Sequence, residues 1–468
     1  MIDAETPGSP GWWLKRLAEA QAARLPKLRR LYRYFEGDHD MPEGHDKARE
    51  AFRAFQRKAR SNYTGLVAES VIERARPIGF RVGTAGADDP DAWQIWAANR
   101  MNADIRLAIR AAVSMGESYL LVGPPDGSAG QWPVITAEDP REFIAEMDPI
   151  RKREPLAALK IWADEMSGER RAVLYLPDAM YGFTAPLIGD TYQGAGYEAF
   201  NVQSWSPAGQ IPNAIGRVPV ARMPNRMDLF GHVKAEFADV IDIQDRINSA
   251  ILDRMVMIKM QAYRQRWIKG TSLTDENGDP VPLTPGADIL WVVEDEDAEF
   301  GEFQQSDIRP VLEAVKDDVR DLAAISRTPP HYLMAEFTNA GGDAFAQSET
   351  GHVAKVGERL DQYGEAIESA ARLAYYYLGD PRADDLTLST VWADPQYRSL
   401  AEKADAATKL VAAGVPWRTV MISVMGYSLE DVARMEAERA SDALTAALSA
   451  LAAPASPQAI SPTPAEGE

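Results

Sequence analysis

Apolar positions keep helical spacing over the first hundred residues, break into short dense runs, and then return to helical spacing for most of the remainder. Leu14, Leu17, Leu25, Leu28, Leu31 and Tyr32 share one face of a predicted helix, interrupted at Pro26, and a second helical pattern runs from Asp46 to Arg74. Asp88–Asp91 is an acidic helix start before Trp93 and Trp96. Ile105, Ala108, Ile109, Ala112 and Val113 continue the period towards Gly116. After Gly116 the period changes. SYLLVG, PVITAE, ALKIWAD, RAVLYLPD and MYGFTAP are short, rich in β-branched or aromatic residues, and punctuated by Pro, Gly and Asp, which predicts strands and hairpins.

From Glu236 the helical period holds for a long stretch. Val240, Ile243, Ile247, Ile251, Met255, Ile258 and Ala262 form one apolar stripe on a predicted helix of about 30 residues, about 45 Å long. A helix of that length crosses between subdomains or packs against copies of itself. Gly270 ends it, Asp275–Asp279 reads as a turn, and ADILWVVE reads as a strand. Ser306 then opens a second helix, with Ile308, Val311, Val315, Val319, Leu322 and Ile325 on one face and Pro310 in its first turn. Two helices thus bracket a small acidic β insert.

Thr328-Pro329-Pro330 forces a stop, and Asn339-Ala340-Gly341-Gly342-Asp343 is the most flexible short stretch outside the termini. Val353, Val356, Leu360, Tyr363, Ile367 and Ala374 mark a third long helix, expected to bend or pack closely at Gly351, Gly357 and Gly364. A helical cluster follows: Tyr397–Ala413, a turn at Gly414-Val415-Pro416, Trp417–Met425, and a helix opening at Ser428. Beyond Ala452 the Pro-, Ala- and Ser-rich tail is expected to be disordered. The fold class is therefore α+β.

Composition narrows the function. The 468 residues are 46% apolar and 26% charged, with no cysteine and 5 histidines, which excludes a disulfide scaffold, a thiolate nucleophile and a thiolate zinc site. Fifty basic against 70 acidic residues give a net charge of -20, which argues against a protein that wraps nucleic acid. The charge is uneven. Lys15–Arg60 holds 13 basic and 7 acidic residues, whereas Asp275–Phe303 holds 10 acidic residues and no basic one. With no apolar run of about 18 residues and no signal-peptide plan at the N-terminus, the chain is expected to fold in the cytoplasm of its host cell and not to span a membrane.

Catalytic patterns are missing. GxxxxGK[ST], a strand-led GxGxxG, HExxH and GxSxG do not occur. Asp38-His39-Asp40 with His45-Asp46 has metal-ligand chemistry, but its loop setting favours a polar surface loop. Asp275, Asn277 and Asp279 imitate an EF-hand start that Pro280 breaks. Glu294–Asp297 is a run of acids with no companion base or nucleophile nearby, so a solvated surface is preferred over a metal-dependent hydrolase site. Trp12, Trp13, Trp93, Trp96, Trp132, Trp162 and Trp205 lack interleaved basic residues and read as core or subunit contacts, and Tyr375-Tyr376-Tyr377 reads as packing.

Eight stretches in order carry a resemblance over residues 10–440: YFEGDHDMP (Tyr34–Pro42), GESYLLVGP (Gly116–Pro124), ITAEDP (Ile135–Pro140), GRVPVARMPNR (Gly216–Arg226), DIQDRINSAILDRM (Asp242–Met255), RQRW (Arg264–Trp267), RTPPHYL (Arg327–Leu333) and VWADP (Val391–Pro395). Around a helix, an acidic insert and a helix, they make the chain resemble the portal proteins of tailed bacteriophages, of the SPP1-like siphophage type found with actinobacterial hosts. The resemblance implies a ring of about twelve subunits at one capsid vertex. It implies a wing at 1–235, stem helices at 236–268 and 306–327, a clip at 269–305, a tunnel loop and long helix at 328–378, a crown-like helical region at 379–452 and a tail at 453–468.

On that resemblance the tunnel loop is Thr338, Asn339, Ala340, Gly341, Gly342 and Asp343. Asp288, Glu294, Asp295, Glu296 and Asp297 form an acidic clip surface that docks the terminase large subunit and later head-tail connector proteins. Lys259, Arg264, Arg266 and Lys269 are candidates for weak DNA contact. Double-stranded DNA is a passing, non-specific partner, major capsid and scaffolding proteins are further partners, and no catalytic residue, metal or cofactor is implied. A non-portal adaptor or scaffold protein, without a central pore, is the competing reading, and the acidic hydrolase stands behind it.

Overall fold

The computed structural model describes residues 2–42, 55–83, 87–187, 201–262, 266–270, 297–302, 307–334, 342–396 and 399–452. Helix α1, Pro10–Glu36, begins at Ser9, whose hydroxyl accepts from the Trp12 N–H, and ends at Gly37 in the left-handed conformation. It continues through Pro26, where the spacing predicted an interruption. Leu14, Leu17, Leu25, Leu28 and Leu31 are all buried, so tertiary packing holds both halves in one line. Next come α2 (Tyr63–Ile72), strands β1 (Pro77–Val82) and β2 (Ala87–Asp88), α3 (Pro90–Ala98) and α4 (Met101–Met115).

The predicted strand region follows as β3 (Glu117–Gly123), β4 (Val134–Glu138), β5 (Phe143–Met147), β6 (Pro155–Asp164), β7 (Glu169–Tyr175), β8 (Ala179–Pro186), β9 (Ser206–Pro212), β10 (Val220–Pro224), β11 (Arg226–Met227) and β12 (Val233–Lys234). After it come α5 (Ile241–Ala262), β13 (Arg266–Lys269), β14 (Glu299–Glu302), α6 (Arg309–Ser326), α7 (Gly342–Leu378), β15 (Ser389–Trp392), α8 (Leu400–Ala412) and α9 (Leu429–Ala452).

The chain divides into two compact units, Met1–Ala75 with Gln94–Leu386, and Arg76–Trp93 with Thr387–Glu468. In the first, β5 to β9 form an antiparallel meander, and β10-β3-β4 form a second antiparallel sheet. Leu14, Leu17 and Ala18 of α1 pack on Leu159, Ile161, Leu174 and Phe183 of the meander. Helix α7 lies on β10 and β3, and α5 packs against α6. In the second unit, β15, β1 and β2 form an antiparallel sheet with Ile78 packed against Ile422, Leu429 and Val432. This unit draws residues 76–93 away from the continuous stretch 1–235 in which the sequence reading placed them.

The helices match the predicted periods but not their full lengths. Helix α5 has 22 residues, shorter than the expected 30 or so, because Arg266–Lys269 turns into a strand paired with Glu299–Glu302. Its stripe is buried only in the first half: Ile247 and Ile251 are covered, whereas Ile258 is 48% exposed. On α6, Val315, Val319 and Leu322 are buried as expected, but Ile325 is 55% exposed. Ser306 lies outside the described residues, and α6 opens at Arg309 with Pro310 in its first turn. Helix α7 runs for 37 residues, and Gly351 and Gly357 have open space where a side chain would stand, so neither marks a close intramolecular contact.

Candidate functional site

Within the first unit, α5, and through it α6, is fastened to α1 and α2 by buried polar side chains on α5 that the apolar stripe hides. Gln244 and Asn248, one turn apart and both fully buried, face the junction of α1 and α2. The Gln244 carbonyl oxygen accepts from the Tyr63 and Thr64 N–H groups (2.9 and 3.2 Å), satisfying donors that the start of α2 leaves free. Its amide donates to the Ser61 carbonyl (2.6 Å) and to Asn248 Oδ1 (3.0 Å).

Asn248 Oδ1 also accepts from the Ser61 N–H, which turns its amide nitrogen towards His39 Nδ1 at 3.1 Å. That contact fixes the tautomer. His39 Nδ1 accepts, and Nε2–H donates to the Tyr34 carbonyl (3.2 Å) beside Thr64 Oγ1. Burial pushes the His39 pKa below its ordinary value. Tyr34 completes the joint by donating its hydroxyl to Asp245 at 2.8 Å.

This corrects the reading of a polar surface loop for His39, while the Asp38 and Asp40 side chains beside it are 58% and 45% exposed, as that reading expects. His39 is 0% exposed and both its nitrogens are engaged by protein. Asp38 pairs with Arg33 and Arg60, and Asp40 with Arg30. His45 and Asp46 lie outside the described residues. Among the described residues, no cluster of histidine and carboxylate side chains fits a metal ion.

A second buried network ties α7 to the same root. Glu349, His352, Lys355, Arg359 and Tyr363 recur at helical spacing on its inner face, and all are buried. Arg74 reaches both oxygens of Glu349 at 3.0 Å and the Tyr332 hydroxyl at 2.9 Å. Lys355 donates to the Ser326 carbonyl at the end of α6 (2.8 Å) and lies 3.5 Å from Glu236, just before α5. Arg359 pairs with the other Glu236 oxygen at 2.9 Å, and the Asn225 amide donates to that oxygen at 3.1 Å. Burial alone would raise the Glu236 pKa, but Lys355, then Arg359 and these hydrogen bonds, hold it below the usual carboxylate range. Burial lowers the Lys355 pKa to about 8 against the pull of Glu236.

Each of these charged side chains is engaged by a protein partner, with Glu349 and Glu236 facing three cations, Arg74, Lys355 and Arg359. What they build is a rigid joint where the start of α5, the end of α6 and the middle of α7 meet. The spacing of Glu349, His352, Lys355 and Arg359 was visible in the sequence, but nothing local named their partners.

Apart from Asp38, His39 and Asp40, the candidate site residues singled out from the sequence that the structure describes take no part in this joint. Thr338, Asn339, Ala340 and Gly341 lie outside the described residues, and Gly342 and Asp343 open helix α7, so the expected loop ends earlier than predicted. Asp288, Glu294, Asp295 and Glu296 also lie outside, as do Arg264, Asp275, Asn277, Asp279 and Pro280; Asp297 is exposed just before β14. Lys259 is exposed on α5 with its ammonium 4.5 Å from the Phe55 ring. Arg266 starts β13, and Lys269 lies 3.6 Å from Glu299 across that strand pair, so neither belongs to a helix end. Trp96, Trp205 and Tyr375 are buried, as packing residues should be.

Comparison with known proteins covers the same span. The family described as phage portal protein, SPP1 Gp6-like, matches residues 14–443. The portal protein of Mycobacterium phage D29 is 30% identical over 405 residues, covering 82% of this chain and 80% of its own length. That of Mycobacterium phage L5 is 30% identical over 406 residues, covering 82% and 79%. Among solved structures, a chain from the neck of an empty GTA particle aligns at 13% identity with a TM-score of 0.45, covering 81% of this chain and 94% of that one. With its eight ordered motifs, and its α/β first unit from which the α5–α6 pair springs, the chain belongs to the SPP1 Gp6-like family of phage portal proteins.

Proposed function

We propose that copies of this chain, twelve in number, form a ring at one vertex of a phage capsid and that double-stranded DNA passes through its channel during packaging and ejection. The observation that supports this best is the α5–α6 pair. Its root is locked by Gln244, Asn248 and the Glu236 cluster, while the far half of α5 leaves Ile258 48% exposed. A helix pair anchored at one end and apolar at the other is completed by neighbours of its own kind.

On this reading α5 and α6 are staves of a barrel, residues 269–305 form the clip at its tip, and 338–343 form the tunnel loop. The terminase large subunit, and later head-tail connector proteins, dock on the acidic clip. Major capsid and scaffolding proteins meet the outer parts of the ring. The negative charge keeps a passing polyanion from sticking. The protein is a mechanical part of the virion with no catalytic residue and no cofactor.

Negative-stain images of the purified protein test this. Rings with a central hole support it. A compact monomer at high concentration contradicts it and favours the adaptor reading, and magnesium-dependent turnover lost in a Glu294→Gln, Asp295→Asn variant favours the hydrolase.

A further inference from the structure

Among the described residues, the exposed apolar side chains of the first unit include those of one convex and one concave surface. The convex surface is made by two turns. The β5–β6 turn carries Ile150, 88% exposed, and the β11–β12 turn carries Leu229 and Phe230, 84% and 87% exposed. Lys152 Nζ donates to the Leu229 carbonyl and ties the turns together. The Asp228 carboxylate accepts from the N–H groups of Phe230 (2.8 Å) and His232 (2.9 Å) and braces the second turn from within. Three large apolar side chains on braced turns lose little freedom on docking.

The concave surface is a groove of about 770 Å³ between the end of α1, α2 and α4. Leu66 and Leu107 line it, 41% and 56% exposed, beside Phe35 and Ala111. The charges match. Among the described residues no carboxylate pairs with Lys152 or Arg153 on the convex turns, whose partners are a carbonyl and the Gln362 amide. Of the four acids that line the groove, Glu69 pairs with Arg110, Asp139 with Arg141 and Glu138 with Lys160, which leaves Glu36 to meet a cation of the incoming tip. The two surfaces also lie at opposite ends of one element. Strand β5 is entered from Asp139 and Arg141 at the groove and leaves into the Ile150 turn, about 17 Å further on.

We propose that the Ile150–Leu229–Phe230 tip of one copy seats in the α1–α2–α4 groove of the next. The inference rests on the ring reading above and gives it a specific subunit contact. Two unlike surfaces at opposite ends of a strand make a head-to-tail contact, and repeating it closes a ring when the rotation per copy allows.

Cysteine crosslinking tests it cleanly because the chain contains no cysteine. In the assembled full-length protein, the double variant Leu107→Cys, Phe230→Cys should give a ladder of covalent oligomers on oxidation, and neither single variant should. A second variant, Leu229→Asp with Phe230→Asp, changes only exposed positions and should keep the parent's melting temperature while weakening subunit association at least tenfold. Covalent dimers from Phe230→Cys alone would overturn the proposal, because they require a symmetric contact. Rings that persist in the double Asp variant, with no ladder from the cysteine pair, would overturn it and leave the ring reading standing. A parent protein that forms no ring overturns both.

Discussion

Replacing Glu236 by Gln removes the buried anion that faces two buried cations, Lys355 and Arg359, of which Arg359 also pairs with the exposed Glu358 at 3.1 Å. The Glu236 carboxylate lies 3.5 Å from Lys355 and 2.9 Å from Arg359, and these three side chains are between 3% and 7% exposed. At an effective dielectric of about 20, each pair attracts by about 4–6 kcal/mol. Most of that is offset in the parent by the cost of taking three ions out of water, so the intact cluster adds little net stability. The variant loses the attraction while Arg359 stays charged and buried, and Lys355, whose pKa burial already lowers to about 8, gives up its proton more readily at a cost in stability. Losing one partner of a buried pair costs about 3–5 kcal/mol, and Glu236→Gln should fall in that range. The assay is urea unfolding of parent and variant at pH 7, followed by the near-ultraviolet signal of the buried tyrosines. The triple variant Glu236→Gln, Lys355→Met, Arg359→Met should recover most of the loss, because it strands no buried charge. A cost below about 1 kcal/mol for Glu236→Gln would refute the reasoning, as would a triple variant less stable than the single one.

Three further outcomes follow from the geometry. His39 is held neutral by burial and by the Asn248 amide, so as pH falls below about 6.5 the unfolded chain takes up a proton that folded His39 refuses, and stability drops. The stability gap between parent and His39→Gln should therefore narrow from pH 7.5 to pH 5; parallel unfolding curves would sink this assignment. In the second unit, Gly79→Ala would set a methyl 2.4 Å from Leu429 Cδ1, and should destabilise that unit by about 1–3 kcal/mol, seen as faster proteolysis of α8 and α9; unchanged cleavage refutes it. Replacing Gly341 and Gly342 by Pro should leave rings intact, since Gly342 is the first residue of α7, where proline is tolerated, while lowering the yield of DNA-filled heads; an unchanged yield refutes the tunnel-loop proposal.

Local period was legible in the sequence, and partnership at a distance was not. The strands after Gly116 and the stripe Val315, Val319, Leu322 were readable because burial on one face imposes a period on neighbouring residues. Arg74 and Glu349 are 275 residues apart, and β1 pairs with β15 across most of the chain; neither leaves a trace in local spacing. Gln244 and Asn248 escaped notice for another reason. A polar residue on the buried side of a helix looks like a solvent position until the backbone donors it satisfies are in view. His39 was misread in the same way, since a loop between two acids reads as surface, yet the ring closes the junction of α1, α2 and α5. The joint at the helix roots was thus hidden, while the helices that spring from it were plain.

The central claim is that this chain acts as a ring around a channel. Cryo-electron microscopy of the purified full-length protein tests it most directly: the account predicts closed rings with a central hole, α5 and α6 running along the channel wall and each subunit's Phe230 against its neighbour's Leu107. Monomers, or an assembly without a central opening, would contradict it.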